Sequence, residues 1–211
     1  MKLFHAPPSP FVRKVHIAAI ELGLIDELEL IPIAVAPGME NKDYAQKGNP
    51  LRKIPALVRT DGSVLYDSGV ICEYLDARAG GGRILPGGGE ARWTMLRDHA
   101  LANGICDAAV LIRYETWLRP EEFRWDAWTQ DQWNKVNTGL ECFEANPESC
   151  GDPNPDLLNI AQIGLACALG YMDFRYDERN WRGSYPKLSG WFAEVSKRRS
   201  IAETMPDAPA K

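Results

Sequence analysis

Apolar and polar residues alternate in two different rhythms, and the change between them divides the chain. Lys2 to His5 forms a short apolar run, and Pro10 to Leu22 repeats apolar positions with a helical period until Gly23. Leu28 to Val35 alternates apolar and acidic residues before Pro37 and Gly38, and Asn41 to Lys47 suits a short helix. Ala56 to Arg59 and Ser63 to Tyr66 flank Thr60-Asp61-Gly62, which suits an antiparallel hairpin. Val70, Ile71, Tyr74 and Leu75 then recur on one helical face. The predicted order is βαβαββα. From Glu90 onward the pattern predicts only helices, over Glu90 to Leu118, Asp126 to Ala145, Asn159 to Asp173 and Lys187 to Arg199. Asn159 and Gln162 predict a capping box, with Leu158 and Ile163 as its hydrophobic staple. Ile163, Leu165, Ala166, Ala168 and Leu169 leave that helix almost no polar face, so it is predicted to be buried. Between the two regimes lie Gly80-Gly81-Gly82 and Pro86-Gly87-Gly88-Gly89. The expected division is a first domain over 1–79, a glycine-rich linker over 80–89 and an all-helical domain over 90–211.

Composition narrows the function. A chain of 211 residues exceeds the usual single-domain size, and 45% hydrophobic with 25% charged residues fits a folded globular protein. The net charge of -5 is mixed along the length without a basic stripe, so nucleic acid is not an expected partner. The first residues lack a signal-peptide pattern and no long apolar run occurs, so neither secretion nor a membrane is expected. The 5 cysteines are odd in number and lack metal-ligand spacing, which predicts reduced thiols and a cytoplasmic protein. His5, His16 and His99 are too dispersed for a metal site, and there is no H-E-x-x-H, phosphate loop or G-x-S-x-G. The 7 tryptophans are expected in core and interdomain packing.

Three junctions carry candidate chemistry. Ser9-Pro10 stands where the first strand meets the first helix, with serine suited to the N-cap and proline to the first helical position. The same place offers free N–H groups, a partial positive charge and a hydroxyl, which together favour a thiolate. Ile54-Pro55 precedes a short strand. A cis bond there would turn the Ile54 backbone outward, free to pair with an extended peptide, beside the mobile cation of Lys53. Asp67-Ser68-Gly69 opens the third helix, where a carboxylate, a hydroxyl and free N–H groups match the charged head of an amino acid.

Taken in order, Ser9-Pro-Phe-Val-Arg-Lys-Val15, Asn49-Pro-Leu-Arg-Lys-Ile-Pro-Ala-Leu-Val58, Leu65-Tyr-Asp-Ser-Gly-Val-Ile-Cys-Glu-Tyr-Leu75 and Asn159-Ile-Ala-Gln-Ile-Gly-Leu-Ala-Cys-Ala-Leu-Gly-Tyr171 resemble the glutathione transferase superfamily over nearly the whole chain. The resemblance is to bacterial serine-type members with an S-P-F-V-R-K start. It implies a thioredoxin-like βαβαββα domain followed by an all-helical domain, an α/β plus all-α fold, and a homodimer. It implies glutathione as co-substrate, with Ser9 facing its sulfur, Ile54 before a cis Pro55 as backbone clamp, and Asp67 with Ser68 as the γ-glutamyl site. Phe11 and Lys53 join the glutathione-binding set, and no metal is implied. The family usually has Glu-Ser where this chain has Asp67-Ser68, a carboxylate one methylene shorter.

The mechanism implied is activation of the glutathione thiol for attack on a small hydrophobic electrophile. A serine can only orient the sulfur and lower its pKa, whereas a cysteine could form a mixed disulfide. The electrophile is expected between the domains, against Pro7, Pro8 and a helix bearing Ile105, Cys106, Ala109, Val110 and Arg113. Rival readings are a regulator or ligand-binding protein that keeps the fold without turnover, and glutathione-dependent peroxide reduction or dehalogenation.

Overall fold

The computed structural model describes residues 1–206, so positions 207–211 of the expected second domain lie outside the described residues. β1 (Lys2–His5), α1 (Pro10–Glu21), β2 (Glu29–Pro32), α2 (Lys42–Lys47), β3 (Ala56–Val58), β4 (Val64–Leu65) and α3 (Ser68–Arg78) follow in the predicted order. The sheet order is β2-β1-β3-β4, with β1 parallel to β2 and the remaining pairs antiparallel. β2 is shorter than the alternating run Leu28 to Val35 because it is an edge strand, and Leu30 stays 40% exposed. The hairpin turn is closed at Gly62, whose φ of 84° suits glycine, and Asp61 accepts from the Ser63 N–H at 2.9 Å. On α3 the buried face is Ile71, Cys72 and Leu75, while Val70, expected on that face, is 48% exposed.

The segment after α3 is anchored. The Asp76 carboxylate accepts from the backbone N–H groups of Gly82, Arg83 and Ile84, and Ile84 and Leu85 are buried. The Ile160 N–H donates to the Ile84 carbonyl at 2.9 Å. Positive φ at Gly80, Gly81 and Gly82 lets the chain curl tightly around that carboxylate.

α4 (Gly89–Arg113), α5 (Asp126–Ala145), α6 (Ile160–Tyr176), α7 (Trp181–Ser184), α8 (Pro186–Val195) and α9 (Arg199–Ala202) complete the fold. The helix predicted through Leu118 ends at Arg113 and continues as a π-helical turn over Tyr114–Leu118. There the buried Glu115 carboxylate draws in the Trp125 N–H at 2.9 Å and Arg119 Nε at 2.6 Å. The helix predicted over Lys187 to Arg199 divides into α8 and α9, because Arg198 adopts an extended backbone (φ -68°, ψ 140°). Its side chain then reaches Glu21 on α1 at 2.8 Å, and Ser200 Oγ donates to the same carboxylate.

α6 is the core helix expected from its sequence. Asn159 Oδ1 accepts from the Gln162 N–H at 2.9 Å, Gln162 Oε1 accepts from the Asn159 N–H at 3.0 Å, and Leu158 and Ile163 are fully buried. It packs against both α1 and α4. Among the described residues no helix is long and apolar enough to cross a membrane. The tryptophans divide, against expectation: Trp133, Trp181 and Trp191 are buried, whereas Trp93, Trp117 and Trp125 are more than half exposed.

Candidate functional site

Strand register gathers the three junctions. Phe4 of β1 pairs with Ala56 of β3, and Leu57 pairs with Leu65 of β4. The end of β1, the start of β3 and the end of β4 therefore share one edge of the sheet. Ser9 follows β1, Ile54-Pro55 precedes β3 and Asp67-Ser68 follows β4.

Ser9 caps α1, accepting from the Val12 N–H at 3.3 Å, with Pro10 in the first turn. Its hydroxyl hydrogen is not consumed by this bond, so it can donate elsewhere. Ser9, Pro7 and Pro8 line one crevice, closed on the far side by Cys167, Gly170 and Tyr171 of α6 and by Pro206. Arg13 forms its floor: it is 4% exposed, and donates to the Ile201 carbonyl at 3.1 Å and to Thr204 Oγ1 at 3.3 Å. Among the described residues its Nη1 has no partner.

Ile54-Pro55 is cis. Tyr44 Oη and Asn49 Nδ2 donate to the Lys53 carbonyl at 2.7 and 3.0 Å, which fixes the chain before Ile54. Among the described residues the Ile54 backbone enters no hydrogen bond. Lys53 is exposed, Ile54 half-buried and Pro55 buried. These two bonds of Tyr44 and Asn49 were hidden in the sequence because both go to a carbonyl, which leaves no pattern of residue types.

At the start of α3 the exposed Asp67 caps the helix, accepting from the Gly69 N–H at 2.9 Å. Ser68 is 2% exposed, and its Oγ accepts from Lys14 Nζ at 3.3 Å. Lys14 is fully buried, also donates to Asn103 Oδ1, and lies 5.4 Å from the centre of the Phe11 ring. Asn103 contacts His99 Nε2 at 3.3 Å. Burial, then the positive charge of Lys14, pushes the His99 imidazole down to about 3, so it is neutral. Asp107 on α4 is an exposed residue whose carboxyl is raised from its ordinary value by partial desolvation, with Lys53 and Lys14 pulling the other way. Lys14, His99, Asn103 and Asp107 were all missed by sequence reasoning. A lysine on a helix reads as solvated, and only the packing of α1 on α3 and α4 makes this one a buried cation.

The expected electrophile residues separate. Pro7 and Pro8 are exposed at the crevice. Ile105, Cys106 and Ala109 are 2% exposed or less and sit in the hydrophobic core, where burial pushes the Cys106 thiol up to about 12. Val110 is half-buried against that core. Arg113 is half-buried with its guanidinium 4.7 Å above the Trp117 ring. Tyr171, to which sequence reasoning gave no role, is buried in the core and also lines the crevice. Burial moves its phenol up to about 12, against an opposing pull from Arg175 and Arg113.

The family models for the glutathione S-transferase N-terminal and C-terminal domains match residues 8–78 and 126–194. The chain belongs to the glutathione S-transferase family. The uncharacterized GST-like protein YibF of Escherichia coli K12 is 32% identical over 206 residues, covering 98% of each chain. A glutathione transferase family member from Pseudomonas fluorescens Pf-5, solved with bound glutathione, superposes with a TM-score of 0.91 at 42% identity, over 97% of this chain and 98% of that one. A second structure, of a Pseudomonas fluorescens family member with bound S-(propanoic acid)-glutathione, gives a TM-score of 0.87 at 41% identity, over 98% and 99%. The glutathione S-transferase fold, a thioredoxin-like domain joined to a helical one, thus accounts for both rhythms in the sequence.

Proposed function

We propose that this chain is a glutathione transferase that uses glutathione as co-substrate and joins its sulfur to a small electrophile. The observation that carries the reading is Ser9, a helix N-cap whose side chain opens on the crevice between α1 and α6. The α1 N-terminus and the serine O–H would stabilise a thiolate, bringing the thiol below its free value of about 8.5 and making it available at neutral pH. The backbone of Ile54, set by cis Pro55, would pair with the cysteinyl unit of the tripeptide. Asp67 and Ser68 would take its γ-glutamyl head, while Phe11 and Lys53 flank it. Bound glutathione and a bound glutathione thioether in the Pseudomonas fluorescens structures support this assignment. The electrophile would enter from the Pro7-Pro8 side, toward Tyr171 and Arg113. A homodimer and a cytoplasmic location belong to the same proposal.

The test compares the protein and its Ser9→Ala variant for retention on immobilised glutathione and for conjugation of an aryl halide. Ser9→Ala is expected to keep glutathione binding while kcat/KM at pH 7 falls by about 10 to 100-fold, the effect of raising the thiol pKa by about one to two units. Absence of glutathione binding at millimolar concentration would sink the proposal. Binding with turnover unaffected by Ser9→Ala would remove Ser9 from the mechanism, and binding without turnover would favour a ligand-binding or regulatory role.

A further inference from the structure

One turn beyond Tyr171, which lines the crevice, α6 carries Arg175, and the end of α4 carries Arg113; among the described residues neither has a counter-ion. Tyr171 and Arg175 stand one turn apart on α6, and Tyr176 Oη donates to the Ala109 carbonyl of α4 at 2.7 Å. That bond pins the end of α6 to α4 one turn before Arg113, so Arg113 and Arg175 stand at the same end of two packed helices. They are close enough for Arg175 to add to burial in depressing the pKa of Arg113. Each lies on an aromatic ring, Arg113 Cζ at 4.7 Å from the Trp117 centre and Arg175 Cζ at 4.0 Å from that of Phe174. Stacking occupies the flat face of a guanidinium and leaves its in-plane N–H groups directed outward, in the fork that suits a carboxylate.

Among the described residues no carboxylate fills that fork, and the Tyr171 phenol is the polar neighbour of Arg175. Among the described residues neither Arg113 nor Arg175 forms an ion pair, and the buried Arg175 Nε has no hydrogen-bond partner. Asp173, the acid nearest in sequence on α6, is taken by Arg182 at 2.7 Å and by the Trp181 indole at 2.8 Å. Two like charges held together and partly desolvated repel one another, and an anion between them relieves both penalties.

We infer that Arg113 and Arg175, with the Tyr171 hydroxyl, form a carboxylate subsite at the electrophile end of the crevice, and that the electrophile is a small molecule bearing a carboxylate. The inference rests on the proposed transferase function and sharpens the hydrophobic electrophile expected from the sequence into an amphipathic one. With a chlorinated aromatic acid, the glutathione thiolate forms a C–S bond at the chlorine-bearing carbon. The C–Cl bond breaks, chloride leaves with the bonding pair, and the carboxylate is an anchor that does not react.

Equilibrium binding separates this subsite from turnover. Glutathione, S-(2-carboxyethyl)glutathione and S-propylglutathione are titrated calorimetrically into the full chain and into Arg113→Gln, Arg175→Gln and the double variant. The wild-type protein is expected to bind the acid about tenfold or more tighter than the propyl thioether, the range of one charge-assisted contact. Each single variant should reduce that ratio and the double variant should bring it to about one, with the affinity for glutathione unchanged. Equal binding of the two thioethers by the wild-type protein overturns the inference without recourse to any variant. So does a ratio that survives in the double variant. Failure of the wild-type protein to bind glutathione itself defeats the transferase reading instead, a result distinct from glutathione binding without acid preference.

Discussion

Lys14 Nζ donates to Ser68 Oγ across 3.3 Å, joining the second turn of α1 to the first residue of α3 in a space closed to solvent. Because that bond occupies a lone pair of the serine oxygen, the Ser68 hydrogen remains free to donate toward the mouth of the site. Lys14 also lacks an ion-pair partner among the described residues, and its remaining bond goes to the neutral Asn103 side chain. Lys14→Met is therefore expected to raise the Kd for glutathione about tenfold, equivalent to ~1.4 kcal/mol. Apolar replacement of a buried charge is often neutral to stability, so the melting temperature should move little. Calorimetric titration beside a thermal melt checks both, and an unchanged Kd would remove Lys14 from the binding site.

The Glu21 carboxylate joins α1 to the C-terminal helices. It accepts from Arg198 Nε and Nη2 at 3.2 and 2.8 Å, from the Leu158 N–H at 3.1 Å and from Ser200 Oγ. Its side chain is 5% exposed and that of Arg198 is 19% exposed. Removing one member of a buried pair leaves the other uncompensated, so Glu21→Ala should destabilise by about 3 kcal/mol, against about 1 kcal/mol for Ser200→Ala. Urea unfolding of the two variants measures the difference.

Acid should weaken the fold through its histidines. Burial, with His5 adding its charge, lowers His16 to about 4, and burial with Lys14 lowers His99 to about 3, both from an ordinary 6.5. Between those values and 6.5 the unfolded chain binds protons that the folded chain refuses, so unfolding becomes easier as pH falls. The stabilisation is complete above about pH 6.5 and declines by up to about 1 kcal/mol per pH unit for each group. Melting temperatures between pH 7.5 and 4.5 should fall, and His99→Gln should flatten the slope.

Val70 and Trp93 are 48% and 62% exposed, on the adjoining starts of α3 and α4. Arg92 and Glu73 bridge these helices at 2.5 Å. Exposed apolar groups on adjoining helices suit a second copy of the chain. Light scattering is expected to show a dimer at micromolar concentration, and Trp93→Glu should shift it toward monomer. A monomeric wild-type protein would end the homodimer proposal.

What residue order alone determined is local. Ser9 and Pro10 encode a helix start through one hydroxyl and one missing N–H, and Asn159 with Gln162 encodes another through a reciprocal pair three residues apart. Alternation and helical period then fixed the sequence of elements, because burial of one face requires that spacing whatever the partner. Short-range signals also marked Ile54-Pro55 and Asp67-Ser68 as junctions worth attention.

Tertiary structure decided which side chains those junctions meet. Lys14 became a buried cation only when α1 packed on α3 and α4, and Tyr171 became a crevice wall only when α6 packed on α1. Ile105, Ala109 and Arg113 recur every four residues on one side of α4, yet Ile105 and Ala109 lie in the core whereas Arg113, the last residue of the helix, is half-buried. Helical period specifies that a face is buried and is silent on what buries it. Contacts between residues far apart in sequence settle that, and Lys14 with Ser68 is such a contact.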